Sequence, residues 1–176
     1  TYIGTGNFTG TGNTEVNTIT GGDGNDILSG GGAAGTSDGV ADTLIGGLGN
    51  DTISGGLGND GLVGGAGSDI FRFDTALSAA LNRDTITDYV AADDTIYLEN
   101  AIFTGLGLTT GALAAGKFNV GTAATQADDR IIYNSATGQV FFDFDGSGAS
   151  AQMLFATLNA GTALAASDIW VVDSLI

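Results

Sequence analysis

A nine-residue unit repeats without a gap from Gly46 to Asp69, as GGLGNDTIS, GGLGNDGLV and GGAGSD, and a fixed period of this kind dictates how a chain can fold. A fourth copy, GGDGNDILS, stands at Gly21 to Ser29. The sixth position is an acid (Asp26, Asp51, Asp60, Asp69) and the eighth a large apolar residue (Leu28, Ile53, Leu62, Phe71). Glycines fill the first, second and fourth positions: Gly21, Gly22 and Gly24; Gly46, Gly47 and Gly49; Gly55, Gly56 and Gly58; Gly64, Gly65 and Gly67. Without a Cβ they admit positive φ and let carbonyls approach a shared centre. The first six residues of each unit are therefore predicted to turn. The last three, such as Thr52-Ile53-Ser54, are predicted to form a short strand with one side chain inward. A strand that short persists only if successive units stack in parallel and bury the eighth-position residues in a continuous narrow core.

Stacking also aligns the acids. They come to stand one strand spacing apart, ~4.8 Å, and repel unless a cation lies between them. The turn offers only carboxylate and carbonyl oxygens, the donor set of Ca2+, which takes roughly 6–8 of them. A flexible linker rich in Gly and Asp would show neither the period nor the recurring apolar residue. Composition points the same way. Four Lys plus Arg against 20 Asp plus Glu give the 176 residues a net charge of −16, which opposes compaction until something neutralises it. Yet 43% of the residues are hydrophobic, too many for an acidic disordered chain. The two facts agree if folding is coupled to cation binding.

Several functions are excluded. The few basic residues, Arg72, Arg83, Lys117 and Arg130, form no cluster, so neither nucleic acid nor an anionic membrane surface is an expected partner. The absence of His and Cys removes the usual zinc sites, thiol chemistry and imidazole acid-base catalysis. No run approaches the ~20 apolar residues of a membrane span. The chain starts at Thr1 without an initiating Met or a cleavable signal pattern, and is expected to be part of a longer protein.

Residues 1–20 read as worn copies of the unit, with Gly4-Thr5-Gly6-Asn7, Gly10-Thr11-Gly12-Asn13, and Asn17 in place of the acid. They are expected to cap the stack rather than to fill a site. A longer unit of 16 residues, Gly30 to Ile45, keeps the register through Asp42. Its seven extra residues should bulge outward, with Asp38 an additional ligand or a solvated loop acid. Beyond Asp69 the glycine turns give way to Ile70-Phe71-Arg72-Phe73. Asp74 to Leu81 is a short helix or an ordered loop, and Asp84–Tyr89 and Asp94–Leu98 are strands. One short helical turn is expected near Gly111 to Ala115. Farther on, Asp129–Asn134 and Gln139–Phe144 form a predicted hairpin, with a third strand at Gln152–Leu158. Asp143 and Asp145 share the start of an EF-hand spacing but lack its later acid. They read as a turn, with calcium binding as the lesser alternative.

The G-G-x-G-x-D-x-U-x units, U being a large apolar residue, resemble the calcium-binding repeats of RTX proteins. The run D-R-I-I-Y-N-x-A-T-G-x-V-F-F-D-F-D-G-S-G, with the acid-plus-hydrophobic ending near Asp168 or Asp173, resembles the C-terminal domain of RTX exoproteins, including the serralysin type. This resemblance implies that acids after the last repeat help to close the final calcium site, with Asp84 and Asp88 as candidates and Asp93 and Asp94 behind them. It also implies an uncleaved export signal in the C-terminal segment, recognised by a type I (ABC-transporter) secretion apparatus.

The expected fold is all-β: a parallel β-roll of calcium-binding repeats over residues 1–73, then a C-terminal antiparallel β cap over 74–176. The expected function is calcium-dependent folding in support of export, by a secreted, non-catalytic monomer. The metal ligands are expected to be Asp26, Asp42, Asp51, Asp60 and Asp69, the glycine turns named above, and Asp84 and Asp88. Two alternatives remain: the anchoring or self-assembling end of an adhesin or surface-layer protein, and an accessory module of a polysaccharide-modifying enzyme using Asp143 and Asp145.

Overall fold

The computed structural model describes residues 4–31, 39–78, 80–107 and 110–173. Each pair of units makes one coil, with one strand in each of two facing sheets. The first sheet receives β1 (Thr9–Thr11), β3 (Ile27–Ser29), β5 (Thr52–Ser54), β7 (Ile70–Phe73) and β9 (Thr95–Glu99), all parallel. The second receives β2 (Thr18–Asp23), β4 (Thr43–Leu48), β6 (Gly61–Ala66) and β8 (Asp84–Ile86), also parallel. Leu28, Leu44, Ile53, Leu62, Phe71 and Ile86 fill the space between the sheets, each at most 1% exposed. This is the predicted β-roll.

Its strands are unequal. β3 and β5 span three residues, as the repeat predicts, whereas β2, β4 and β6 span six and run on into the glycine pair of the next unit. The 16-residue unit does keep register, since Thr43 pairs with Thr18 and Thr52 with Ile27. The expected bulge includes residues 32–38, which lie outside the described residues, as does Asp38.

At the N-terminal end the worn repeats exchange roles. Phe8 aligns with the acid position of the next coil and Gly10 with Leu28. The Phe8 ring lies over Gly10, where a Cβ would come within 2.6 Å of it. An aromatic from the wrong position thus fills the vacant core place and closes the stack.

The parallel stack does not stop at Phe73. β8 and β9 add a further coil, so the boundary expected at 73/74 falls inside continuous sheets. Asp74 to Leu81 contains no helix among its described residues and holds a bridge between Ser78 and Asn82. The remaining strands extend both sheets. β14 (Met153–Thr157) lies parallel to β8, and the predicted hairpin of β12 (Ile131–Asn134) and β13 (Gln139–Phe142) follows antiparallel to it, with β11 (Phe118–Val120) outermost. β15 (Ile169–Val172) lies parallel to β9 and antiparallel to β10 (Gly111–Ala112). The expected helical turn is a 3-10 turn at Ala115–Lys117. Phe73, Phe103, Phe142 and Phe155 pack edge to face at 5.0–5.4 Å and join the narrow roll core to the wider one beyond it.

The narrow core offers no material to refill a void. Leu62→Ala is therefore expected to cost ~2–5 kcal/mol, read as a thermal midpoint lowered by ~5–15 °C at saturating calcium.

Candidate metal centre

The acids form two ladders, one along each edge of the roll. On one edge the amide of Phe8 donates to Asp26 (2.7 Å), Asp26 to Asp51 (2.8 Å), Asp51 to Asp69 (2.9 Å) and Asp69 to Asp94 (3.0 Å). On the other, Asn17 donates to Asp42 (2.7 Å), Asp42 to Asp60 (2.7 Å) and Asp60 to Asp84 (3.1 Å). One carboxylate oxygen of each acid is thus spent holding the preceding coil.

The second oxygen turns into the glycine turn. Asp26, Asp51 and Asp69 are each 1% exposed, and their Oδ2 atoms have no hydrogen-bond donor. A buried carboxylate oxygen without a partner is costly. Beside each lies a space shaped by the first glycine of its own turn. A Cβ on Gly46 would strike Asp51 Oδ2 and the Gly64 carbonyl, and one on Gly21 would strike Asp26 Oδ2 and come within 2.7 Å of the Gly46 carbonyl. Gly30, Gly55 and Gly64 face Asp42, Asp60 and Asp69 in the same manner.

The glycine positions therefore have two separate reasons. Positive φ belongs to the second and fourth positions, as at Gly47 (125°) and Gly49 (117°), and likewise to Gly22, Gly24, Gly56, Gly58, Gly65 and Gly67. The first-position glycines Gly21, Gly46, Gly55 and Gly64 do not share it, contrary to the expectation for all three positions. They are glycines because a Cβ would fill the oxygen-lined cradle.

Burial pushes the Asp51 carboxyl up to about 6, with the charges of Asp69 and Asp26 acting in the same direction. Asp69, Asp84 and Asp94 are also raised, in each case first by burial. These environments penalise the anion and lack a counter-charge. Among the described residues no three acid, His or Cys side chains converge, so each cradle consists mainly of carbonyls around one carboxylate. That donor set is hard and all-oxygen, which fits calcium and suits no thiophilic metal.

Beyond the last repeat the structure divides the sequence candidates. Asp84 ends one ladder, as expected for a sixth-position residue. Asp94, ranked behind it, ends the other, and its Oδ2 accepts from the Val90 amide at 2.8 Å. Asp88 stands elsewhere, accepting from the Gly64 and Gly65 amides at 3.0 and 2.8 Å. It covers the last complete turn from outside, and Asp93 is exposed. The signal for Asp94 is local: Asp51, Asp84 and Asp94 each begin a D-T-I triplet. Asn17 caps rather than coordinates, since its Oδ1 accepts from Asn13 N at 2.6 Å.

A further ladder went unread in the sequence. Asn25, Asn50 and Ser68, at the fifth position, donate their amides to the side chains of Asn7, Asn25 and Asn50, each at 2.9 Å. Asp143 and Asp145 hold their own turn. Asp143 accepts from the Asp145 amide at 3.2 Å, and Asp145 from the Ser150 amide at 3.1 Å. Asp168 likewise accepts from the Ala165 amide at 2.9 Å.

A parallel roll with glycine turns that present inward carboxylates and carbonyls defines a calcium-binding repeat module. The family model of the RTX calcium-binding nonapeptide repeat matches residues 4–36 and 37–71, in four copies, so this part of the chain consists of RTX calcium-binding repeats. No curated protein sequence matches the chain. Among solved structures 18 chains match. One is the solution structure of the AlgE6R3 subunit from the Azotobacter vinelandii mannuronan C5-epimerase, 25% identical, covering 95% of this chain and 80% of that one, with a TM-score of 0.39.

Proposed function

We propose that the chain is a non-catalytic, extracellular module whose folding is triggered by calcium and whose C-terminal segment is read by a type I secretion apparatus. The observation that carries the calcium part is the set of buried, donorless Oδ2 atoms of Asp26, Asp51 and Asp69 beside glycine cradles. Asp42, Asp60 and Asp84 line the second edge, and Asp88 and Asp94 close the last turn of the first.

In a cytosol poor in free calcium, repulsion within each ladder keeps the repeats extended, and an extended chain can pass a narrow channel. Outside, calcium matches the Kd range of extracellular modules, ~10⁻⁴–10⁻³ M. A bound ion supplies the positive charge that the cradles lack. Each one contributes roughly 1.4 kcal/mol at tenfold excess over its Kd, so a few ions weigh heavily in a stability of ~5–15 kcal/mol. Among the described residues no helix is long and apolar enough to cross a membrane.

Titrating the metal-free chain while following far-UV circular dichroism tests the switch. A cooperative gain of β structure is expected between ~0.1 and 1 mM calcium and none with magnesium, whose small, rigid octahedral shell suits a carbonyl cradle poorly. A chain already folded in chelator would sink it. The export part has its own readout: replacing Asp26, Asp51, Asp60 and Asp69 together by Ala should reduce secretion through a type I apparatus, and undiminished export would refute that role.

A further inference from the structure

The outer face of the first sheet is unlike the rest of this acidic chain. Because Leu28, Ile53, Phe71, Ile96 and Ile169 point inward, their neighbours along each strand point outward. One outward row runs Thr11, Ser29, Ser54, Arg72, Tyr97 and Trp170, one residue per strand. The adjoining row is Thr9, Ile27, Thr52, Ile70 and Thr95. In a chain of net charge −16, these two rows hold a single charge, Arg72, and Asp74 balances it at 3.1 Å.

The face is also shaped. A hollow of about 280 Å³ opens on it, lined by Thr11, Ser29, Thr52, Ser54, Arg72 and Asp74 among others. Next to it along the row, the Tyr97 and Trp170 rings stack with centroids 6.4 Å apart and planes 27° from parallel. Trp170 stays 42% exposed.

We propose that this face binds a neutral, linear polysaccharide lying across the strands. Sugar hydroxyls both donate and accept, and the hollow supplies both functions: Thr and Ser hydroxyls, the donor fork of Arg72 and the acceptor oxygens of Asp74. The carbon-hydrogen faces of pyranose rings need a flat apolar surface, which the Tyr97–Trp170 pair provides while keeping polar tips toward water. The row advances one strand spacing per residue, ~4.8 Å, close to the length of one pyranose unit, so successive sugars meet successive strands. Charge selects within the class. The chain's negative field repels a polyanion, and Arg72 is already neutralised by Asp74.

The inference goes beyond calcium binding, although the face exists only in the folded roll. Trp170 is the one tryptophan of the chain, so its fluorescence reports on the site directly. The calcium-loaded full chain is titrated with cello-hexaose, laminari-hexaose and, as polyanion, hexagalacturonate. Circular dichroism on the same samples shows separately whether calcium has folded the roll. A saturable emission change with a neutral hexaose is expected. Tyr97→Ala should weaken it at least about tenfold, equivalent to about 1.4 kcal/mol. Thr52→Glu, at a solvent-facing position that places a charge in the hollow without touching an aromatic, should weaken it comparably. Absence of a saturable change with both neutral hexaoses, preference for the galacturonate, or binding indifferent to both substitutions would each overturn the proposal.

Discussion

Gly47→Val is expected to abolish folding at calcium concentrations that fold the parent chain. Gly47 lies in β4 with φ at 125°, a conformation that costs a β-branched residue about 1–3 kcal/mol. Space is the larger obstacle. A Cβ there would strike the Gly22 carbonyl oxygen of the adjacent coil, and that coil cannot retreat, because Gly47 is paired with Gly22 on one side and Gly65 on the other. Displacing the turn also moves the neighbouring Gly46 cradle, so the loss of calcium affinity compounds the strain. A total of about 3 kcal/mol or more is a large share of a domain's stability. Gly61→Ala is the control. Gly61 has no positive φ, and a Cβ would find nothing closer than 3.8 Å. It should leave the calcium midpoint unchanged or lower it, since removing a glycine from a compatible site stabilises by ~0.4–1 kcal/mol. Equal behaviour of the two variants would show that the stacked turns are not the tight element of the fold.

The contrast between these glycines shows what the sequence discloses. The period placed the turns, the inward residues and the acids Asp26, Asp42, Asp51, Asp60 and Asp69, because each depends on a spacing that repeats identically in every coil. It could not divide glycines by cause. Gly46 and Gly47 are adjacent and alike in sequence, yet one makes room for a metal cradle and the other adopts positive φ. Departures from the period hid more. The ladder steps from Asp60 to Asp84 and Asp69 to Asp94 span 24 and 25 residues, so β8 and β9 read as the start of a cap although they complete another coil. The triplets Asp84-Thr85-Ile86 and Asp94-Thr95-Ile96 repeat Asp51-Thr52-Ile53 and carried the information. Phe8 and Gly10 gave no such sign, since the ring fills a core place two positions from its own only when the backbone brings it there. The aromatic and hydroxyl rows of the first sheet follow from strand register, which joins Arg72, Tyr97 and Trp170 across nearly a hundred residues.

Protons should partly replace calcium. Asp51 has its carboxyl raised from 3.8 to about 6 in the metal-free roll, first by burial and then by the charges of Asp69 and Asp26. Asp69, Asp84 and Asp94 shift in the same direction. The folded chain therefore binds protons more tightly than the unfolded one, and linkage fixes the sign. The contribution of such a group is fully present below pH ~4, the ordinary carboxylate value. It is lost as pH rises through about 6 for Asp51. In chelator, the chain is expected to gain β structure between pH 7 and pH 5 without any metal, while remaining above its isoelectric point near 4.1. Calcium must then displace those protons, so its folding midpoint should rise as pH falls through the same window. Asp51→Asn separates the two effects. Its amide keeps the shape of the carboxyl without the charge, so the variant should be more folded than the parent in chelator at pH 7, yet need more calcium to complete folding. Circular dichroism against pH, with light scattering to exclude aggregation, reads both. A chelated chain no more ordered at pH 5 than at pH 7 would mean that carboxylate repulsion is not what holds the metal-free roll open.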